Sequence, residues 1–151
     1  MADSFHARFS AIKREYNYYI INNYSTSKRF YTWYCKWPLK YEKLIECSKI
    51  LIGKHDFSLL SKASSNTKNK VCNIYKSEWI KENDKLIYNI QANRFLQHMV
   101  RLLVGTMVEV SRKKIRFEKF KELIENPSEN AKIFKAPPQG LVLYKVDYAN
   151  N

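Results

Sequence analysis

Apolar residues recur along the chain with two spacings, every second position in some stretches and every third or fourth in others. Phe5, Ala7, Phe9 and Ala11 alternate with His6, Arg8 and Ser10, which predicts a half-buried strand with a basic outer face. Lys13-Arg14 marks a turn, after which Tyr16, Tyr18 and Ile20 alternate through a second strand ending near Asn22-Asn23. Residues 25–28 are a polar loop, and the stretch 30–37 is aromatic until Pro38 stops it. Residues 41–52 read as a helix with Leu44, Ile45, Ser48, Leu51 and Ile52 on its core face and Gly53 just past its end. The segment 61–70 is polar and basic with nothing to bury, hence a loop. Strands over 73–81 and 85–92 form a hairpin around Glu82-Asn83-Asp84. A helix from Arg94 to about Val110 follows, then a shorter one over 117–125 that Asn126-Pro127 ends. Residues 136–140 turn into a final strand over 141–148. Hairpins with helices between them imply an α+β fold, an antiparallel-rich sheet with helices packed on one face.

The helix predicted over 94–110 is the most informative element. Phe95, Leu96, Met99, Val100, Leu102, Leu103, Val104, Met107 and Val108 leave little room for water on any side. Its polar residues Arg94, Gln97, His98 and Arg101 fall three or four apart and share one narrow stripe. Gly105 continues the stripe, where a missing side chain lets another backbone or a ligand come close. A guanidinium on a mostly buried helix is costly unless it meets a carboxylate or phosphate. Arg101 therefore needs a partner. On composition alone the stripe reads as an internal salt bridge beside a satisfied core histidine.

Composition narrows the function class. The 151 residues are 45% hydrophobic, which suits one globular domain with a proper core. No apolar run of about 18 residues occurs and no signal-peptide core stands at the start, so a soluble, cytoplasmic protein is expected, with no membrane partner. Cys35, Cys47 and Cys72 are odd in number and irregularly spaced, which argues for free thiols against a disulfide framework or a zinc site. The net charge of +13 is the electrostatic footprint of a protein that meets a phosphate backbone. Abundant Lys, Asn, Ile and Tyr with scarce Gly also fit a compositional bias, so part of the lysine excess needs no function. The arginines Arg8, Arg14, Arg94 and Arg101 are harder to dismiss. Within 61–70 a solvated loop and an RNA-contacting one are equally open. No phosphate-binding loop, His-Glu-x-x-His or glycine-rich dinucleotide turn is present.

Phe5-His6-Ala7-Arg8-Phe9-Ser10-Ala11, the Tyr16-x-Tyr18 pair, Phe95-x-x-His98-Met99-Val100-Arg101-x-x-Val104-Gly105-Thr106 and the closing Ala136-Pro137-Pro138-Gln139-Gly140-Leu141 occur in one order. Together they resemble the C-terminal half of the TruA family of tRNA pseudouridine synthases, from about Phe5 to Tyr148. The resemblance implies an isomerase that detaches a uracil from C1′ of its ribose, rotates it and rejoins it through carbon. It implies a tRNA substrate modified in the anticodon stem-loop, a homodimer whose tRNA surface uses both subunits, and no metal or organic cofactor. By the resemblance, Tyr16 packs on the target base and Arg101 pairs with the catalytic aspartate. Arg8, Arg14, Arg94 and His98 are the other candidate substrate-binding residues, with His98 either a hydrogen-bonded helix histidine or a phosphate contact.

The aspartate itself is missing. The family carries it in a Gly-Arg-Thr-Asp-x-Gly-Val-His segment of its N-terminal half, and nothing like that segment occurs here. Asp3, Asp56, Asp84 and Asp147 are poor substitutes. The expectation is therefore one domain over 1–151 that forms the C-terminal portion of such an enzyme, without the catalytic half and inactive alone. The alternative is a non-catalytic RNA-binding or dimerisation module with the same basic face. Trp33, Trp37 and Trp79 read as core or rim aromatics rather than base-stacking platforms, and His6 and His55 have no partner at metal or triad spacing.

Overall fold

The computed structural model describes residues 11–62, 68–127 and 132–148. The strand expected over 5–11 therefore lies almost entirely outside the described residues, with Arg8, and so does part of the loop 61–70. In chain order the elements are β1 (Ala11–Ile21), β2 (Trp33–Tyr34), α1 (Tyr41–Lys49), β3 (Gly53–Asp56), β4 (Val71–Glu82), β5 (Lys85–Ala92), α2 (Met99–Ser111), α3 (Phe117–Glu125) and β6 (Leu141–Tyr148). Single 3-10 turns occur at Ser58–Leu60 and Pro138–Gly140.

The strands form one six-stranded sheet in the order β2-β1-β5-β4-β3. β6 pairs with the first part of β1, antiparallel, and β2 takes over at Ile20 and Ile21 as a short parallel pair. All other pairings are antiparallel. Register decides which side chains meet. Tyr16, Tyr18 and Ile20 of β1 stand opposite Ile90, Tyr88 and Leu86 of β5, and Ser77 and Trp79 of β4 stand opposite Ile90 and Tyr88. Because side chains alternate along a strand, this set shares one face. That face enters the core with Leu44 and Cys47 of α1, Met99, Leu103, Val104 and Met107 of α2, and Phe120 and Ile124 of α3. The helices thus cover one side of an antiparallel-rich sheet, as the α+β expectation had it. Among the described residues no helix is long and apolar enough to cross a membrane.

Besides β4, which runs slightly longer at both ends than expected, three boundaries differ in consequential ways from the sequence reading. Lys13 and Arg14 do not turn; β1 runs through them because Arg14 is paired on both sides, to Ala92 of β5 and Val146 of β6. α1 stops at Lys49, and Gly53, at φ 105°, opens β3 instead of merely following the helix, so Ile52 is exposed rather than core. The largest difference is at α2, which begins at Met99 and not at Arg94. Asn93 accepts the Asn73 backbone N–H at 2.8 Å, and Arg94 Nη1 donates to the Asn69 and Val71 carbonyls at 3.0 and 3.2 Å. His98 then adopts a left-handed conformation, φ 64°, which no helix interior allows. The four-residue polar stripe is therefore not a helix face, and only Arg101 of its members stands on α2.

From Met99 to Ser111 every residue of α2 is buried except Arg101 and Glu109. The sheet and α1 cover one side. The chain before β6 covers the other, pressed so close that a Cβ on Gly105 would stand 2.1 Å from the Phe134 carbonyl oxygen and 2.8 Å from the Ala136 nitrogen. Backbone cannot yield as a flexible side chain can. Gly105→Ala should thus cost ~1–3 kcal/mol of folding free energy, measured by urea denaturation. Wild-type stability in that variant would mean the contact is not tight.

Candidate active site

Tyr16 is half-buried at the middle of β1 and meets Phe95 edge-on, with ring centroids 5.0 Å apart and planes at 90°. The two rings line an open depression together with His98, Met99, Val100 and Leu141. It lies where the sheet, the start of α2 and the start of β6 converge. His98 sits at the rim because its left-handed backbone turns the chain into the helix, its carbonyl accepting the Leu102 N–H at 3.0 Å. Partial desolvation, then the charges of Lys135, Arg101 and Lys62, hold the His98 imidazole below its ordinary value, so it is neutral at pH 7.

Arg101 follows His98 by one turn, and two hydrogen bonds fasten it. Its Nε donates to the Ala136 carbonyl at 2.8 Å, and its own carbonyl accepts the Ala136 N–H at 2.9 Å. The next turn repeats the pattern: Phe134 N–H donates to Thr106 Oγ1 at 3.2 Å. Tyr18 donates its hydroxyl proton to the Pro137 carbonyl, and Gly140 packs on the Tyr18 ring, where a Cβ would approach within 2.7 Å. Burial pushes the Tyr18 phenol well up, with Arg101 opposing that shift, so the phenol stays protonated as a donor. The segment 134–140 is thereby fixed to both α2 and β1.

The guanidinium of Arg101 has no carboxylate partner among the described residues. Of the three described aspartates, Asp56 accepts the Ser58 N–H at 2.8 Å, Asp147 lies 3.3 Å from Lys13 and 3.7 Å from Lys145, and Asp84 is exposed in the β4–β5 turn. Glu109 pairs with Arg112 at 2.9 Å. Arg14 is half-buried on β1, on the same strand face as Tyr16. Arg94 holds the chain entering β4 through its two carbonyl contacts, which the sequence reading did not anticipate. Trp33 and Trp79 are core residues, and Trp37 lies half-buried beneath the Arg112 guanidinium at 3.6 Å. All three cysteines are free and buried, and burial pushes Cys47 up to about 12 and Cys72 up to about 11, which leaves them unreactive.

One group escaped the sequence reading. Glu15, 7% exposed, lies on the sheet face opposite Tyr16 and accepts from Asn89 Nδ2 at 2.6 Å and Gln91 Nε2 at 2.8 Å. Asn89 also donates to Asn17 at 2.7 Å. Its signal was present as polar residues two apart on two strands, Glu15 with Asn17 and Asn89 with Gln91.

A family model described as tRNA pseudouridine synthase matches residues 47–149, a span that includes α2, the Ala136 clamp and β6. The chain belongs to that family. Among its synthase relatives, tRNA pseudouridine synthase A of Chlorobium limicola is 40% identical over 144 residues, covering 95% of this chain and 59% of the relative. The Bacillus subtilis tRNA pseudouridine synthase A is 35% identical over 150 residues, covering 98% and 61%. That of Bacteroides fragilis is 36% identical over 144 residues, covering 95% and 57%. The chain therefore spans about three fifths of the length of the curated synthases it matches.

The state of His98 has a measurable consequence. An unfolded histidine titrates near 6.5 and folded His98 titrates lower. As pH falls through that value the unfolded chain binds more protons, so folding stability declines on the acid side. An NMR titration of the imidazole should give a midpoint below 6.5, and His98→Gln should lessen the acid-side loss of stability. A midpoint at or above 6.5 would refute the placement of His98 among cations.

Proposed function

We propose that this chain supplies the arginine and the base-packing tyrosine of a tRNA pseudouridine synthase, and that the catalytic carboxylate comes from outside these 151 residues. One observation carries the reading: Arg101 is anchored through Nε to Ala136, and its guanidinium has no carboxylate among the described residues. In that geometry its remaining N–H groups orient an incoming carboxylate, and a cation within ~4–6 Å keeps such a group ionised. Tyr16 packs on the uracil once it has left the stack, its ring held edge-on by Phe95. Arg8, Arg14, Arg94 and His98 contact phosphates, which position the RNA without reading its sequence.

The carboxylate acts at the sugar or base, the uracil leaves C1′, rotates and rejoins through carbon. No atom is gained or lost. The proposal includes the anticodon stem-loop as target, a homodimer as the working form and the cytoplasm as its place. A second reading, a non-catalytic RNA-binding or dimerisation module, draws on the same positions of the described aspartates, since none of the three pairs with Arg101.

A pseudouridine assay on tRNA separates the two. Residues 1–151 alone should give no product. Fused behind the part of the Chlorobium limicola synthase that this chain does not span, they should turn over. In the fusion, Tyr16→Ala and Arg101→Lys should each lower turnover by at least a hundredfold, about 2.7 kcal/mol of barrier, with most tRNA binding retained. Product from the chain alone, or full turnover in the Arg101→Lys fusion, would overturn the proposal. A fusion that binds tRNA without product would favour the second reading.

A further inference from the structure

The connection between β1 and α1 presents a surface of distinct chemistry. No acidic residue occurs between Glu15 and Glu42, whereas Lys28, Arg29, Lys36 and Lys40 do. In the same stretch Tyr24, Phe30, Tyr31 and Tyr34 are 57%, 65%, 69% and 40% exposed. Large aromatics left in water so close together mark a contact surface more often than chance.

The turn is held in place from beneath. The Tyr31 N–H and the Thr32 hydroxyl both donate to the Lys28 carbonyl, at 3.0 and 2.8 Å. Thr32 and Trp33 are buried, and the Trp33 ring meets Tyr18 at 6.3 Å and Phe134 at 6.1 Å. Above that base the Arg29 guanidinium lies 4.6 Å over the Phe30 ring, and Tyr24 and Tyr34 meet edge-to-face at 5.5 Å.

Exposed rings and cations in a stretch of chain without an acidic residue suit one partner chemistry. Every nucleobase has a face to stack, and its phosphates answer the lysines and arginines; single strands are held this way without choice of sequence. The same turn of a second copy is the poorer partner, because a two-fold contact would set like charges against Lys28, Arg29 and Lys36.

We propose that the turn 24–34 is an accessory RNA-binding surface that stacks unpaired nucleotides on Phe30 and Tyr31 while Lys28 and Arg29 meet the flanking phosphates. The inference rests on the tRNA-binding reading above and extends it to a surface outside the Tyr16 depression.

The test uses the 151-residue chain, a fluorescein-labelled oligouridylate and an intact tRNA transcript, each followed by anisotropy. Phe30→Ala/Tyr31→Ala should weaken oligouridylate binding about tenfold per lost stack. Lys28→Ala/Arg29→Ala should flatten the dependence of log affinity on log salt by about 0.7 per lost contact. Circular dichroism should report an unchanged fold in both, since these side chains project from the turn. Wild-type affinity in the Phe30→Ala/Tyr31→Ala variant would overturn the proposal. A wild-type chain that binds tRNA but not oligouridylate would overturn it while leaving the tRNA reading intact; binding to neither would overturn it as well, and the fusion assay above then decides the tRNA reading. A sedimentation shift in the variant with RNA affinity unchanged would make the turn a contact between copies, and that too would overturn it.

Discussion

Everything at this site depends on one backbone meeting another across Gly105. Helix α2 lacks a side chain there, and the strand-like segment ahead of β6 comes within contact distance of it. That approach is what allows Ala136 to bond Arg101 through both its N–H and its carbonyl. An arginine side chain has several rotatable bonds, and fixing Nε removes most of that freedom before any partner arrives. The same segment continues to Pro137 and Gly140, which lock onto Tyr18, two residues along β1 from Tyr16. Arg101 and the strand that carries Tyr16 are therefore tied to each other through the seven residues 134–140.

The sheet separates two chemistries. On the helix side, Tyr16, Tyr18 and Ile20 face a mainly apolar core, in which the Tyr18 and Tyr88 hydroxyls bond Pro137 and Ser77 while the buried Trp79 Nε1 has no partner among the described residues. On the other side Glu15, Asn17, Asn89 and Gln91 form a buried polar layer joined by hydrogen bonds. Buried amides and a carboxylate are tolerable only when they satisfy one another. Asn89 Oδ1 remains without a partner, the one break in that layer among the described residues.

What was legible in the sequence divides by the range of the forces involved. α3 and β6 are readable to the residue because their boundaries are local: Pro127 follows the first and Pro138–Gly140 precede the second. The near-total burial of α2 is likewise written in its own apolar run. Its starting point is not, because the groups that unwind 94–98 belong to Asn69, Val71 and Asn73, more than twenty positions away. β2 and β3 are too short to show a period, and the charged pair Lys13-Arg14 imitates a turn that strand pairing overrides. At the proposed site, the resemblance singles out Tyr16 and Arg101 as candidates, but the anchoring of Arg101 by a backbone carbonyl has no side-chain signature. A carbonyl is invisible in a sequence.

The order of strands in the sheet bears on how the molecule comes into being. β1 is the first described strand and β6 the last, yet they lie side by side, and the Tyr18 hydroxyl bonds a carbonyl 119 positions later. Contacts between such distant parts of a chain are slow to form because a long loop must close first. On the ribosome β1 waits through the synthesis of the β4–β5 hairpin and of α1, α2 and α3 before β6 emerges. Until then the edge of β1 over Ala11–Tyr18, beyond the short β2 pair, stays open, an invitation to pair with a neighbouring nascent chain. Arg101 acquires its anchor only at the very end of that interval, so until Ala136 has been made its side chain has no backbone carbonyl to hold it.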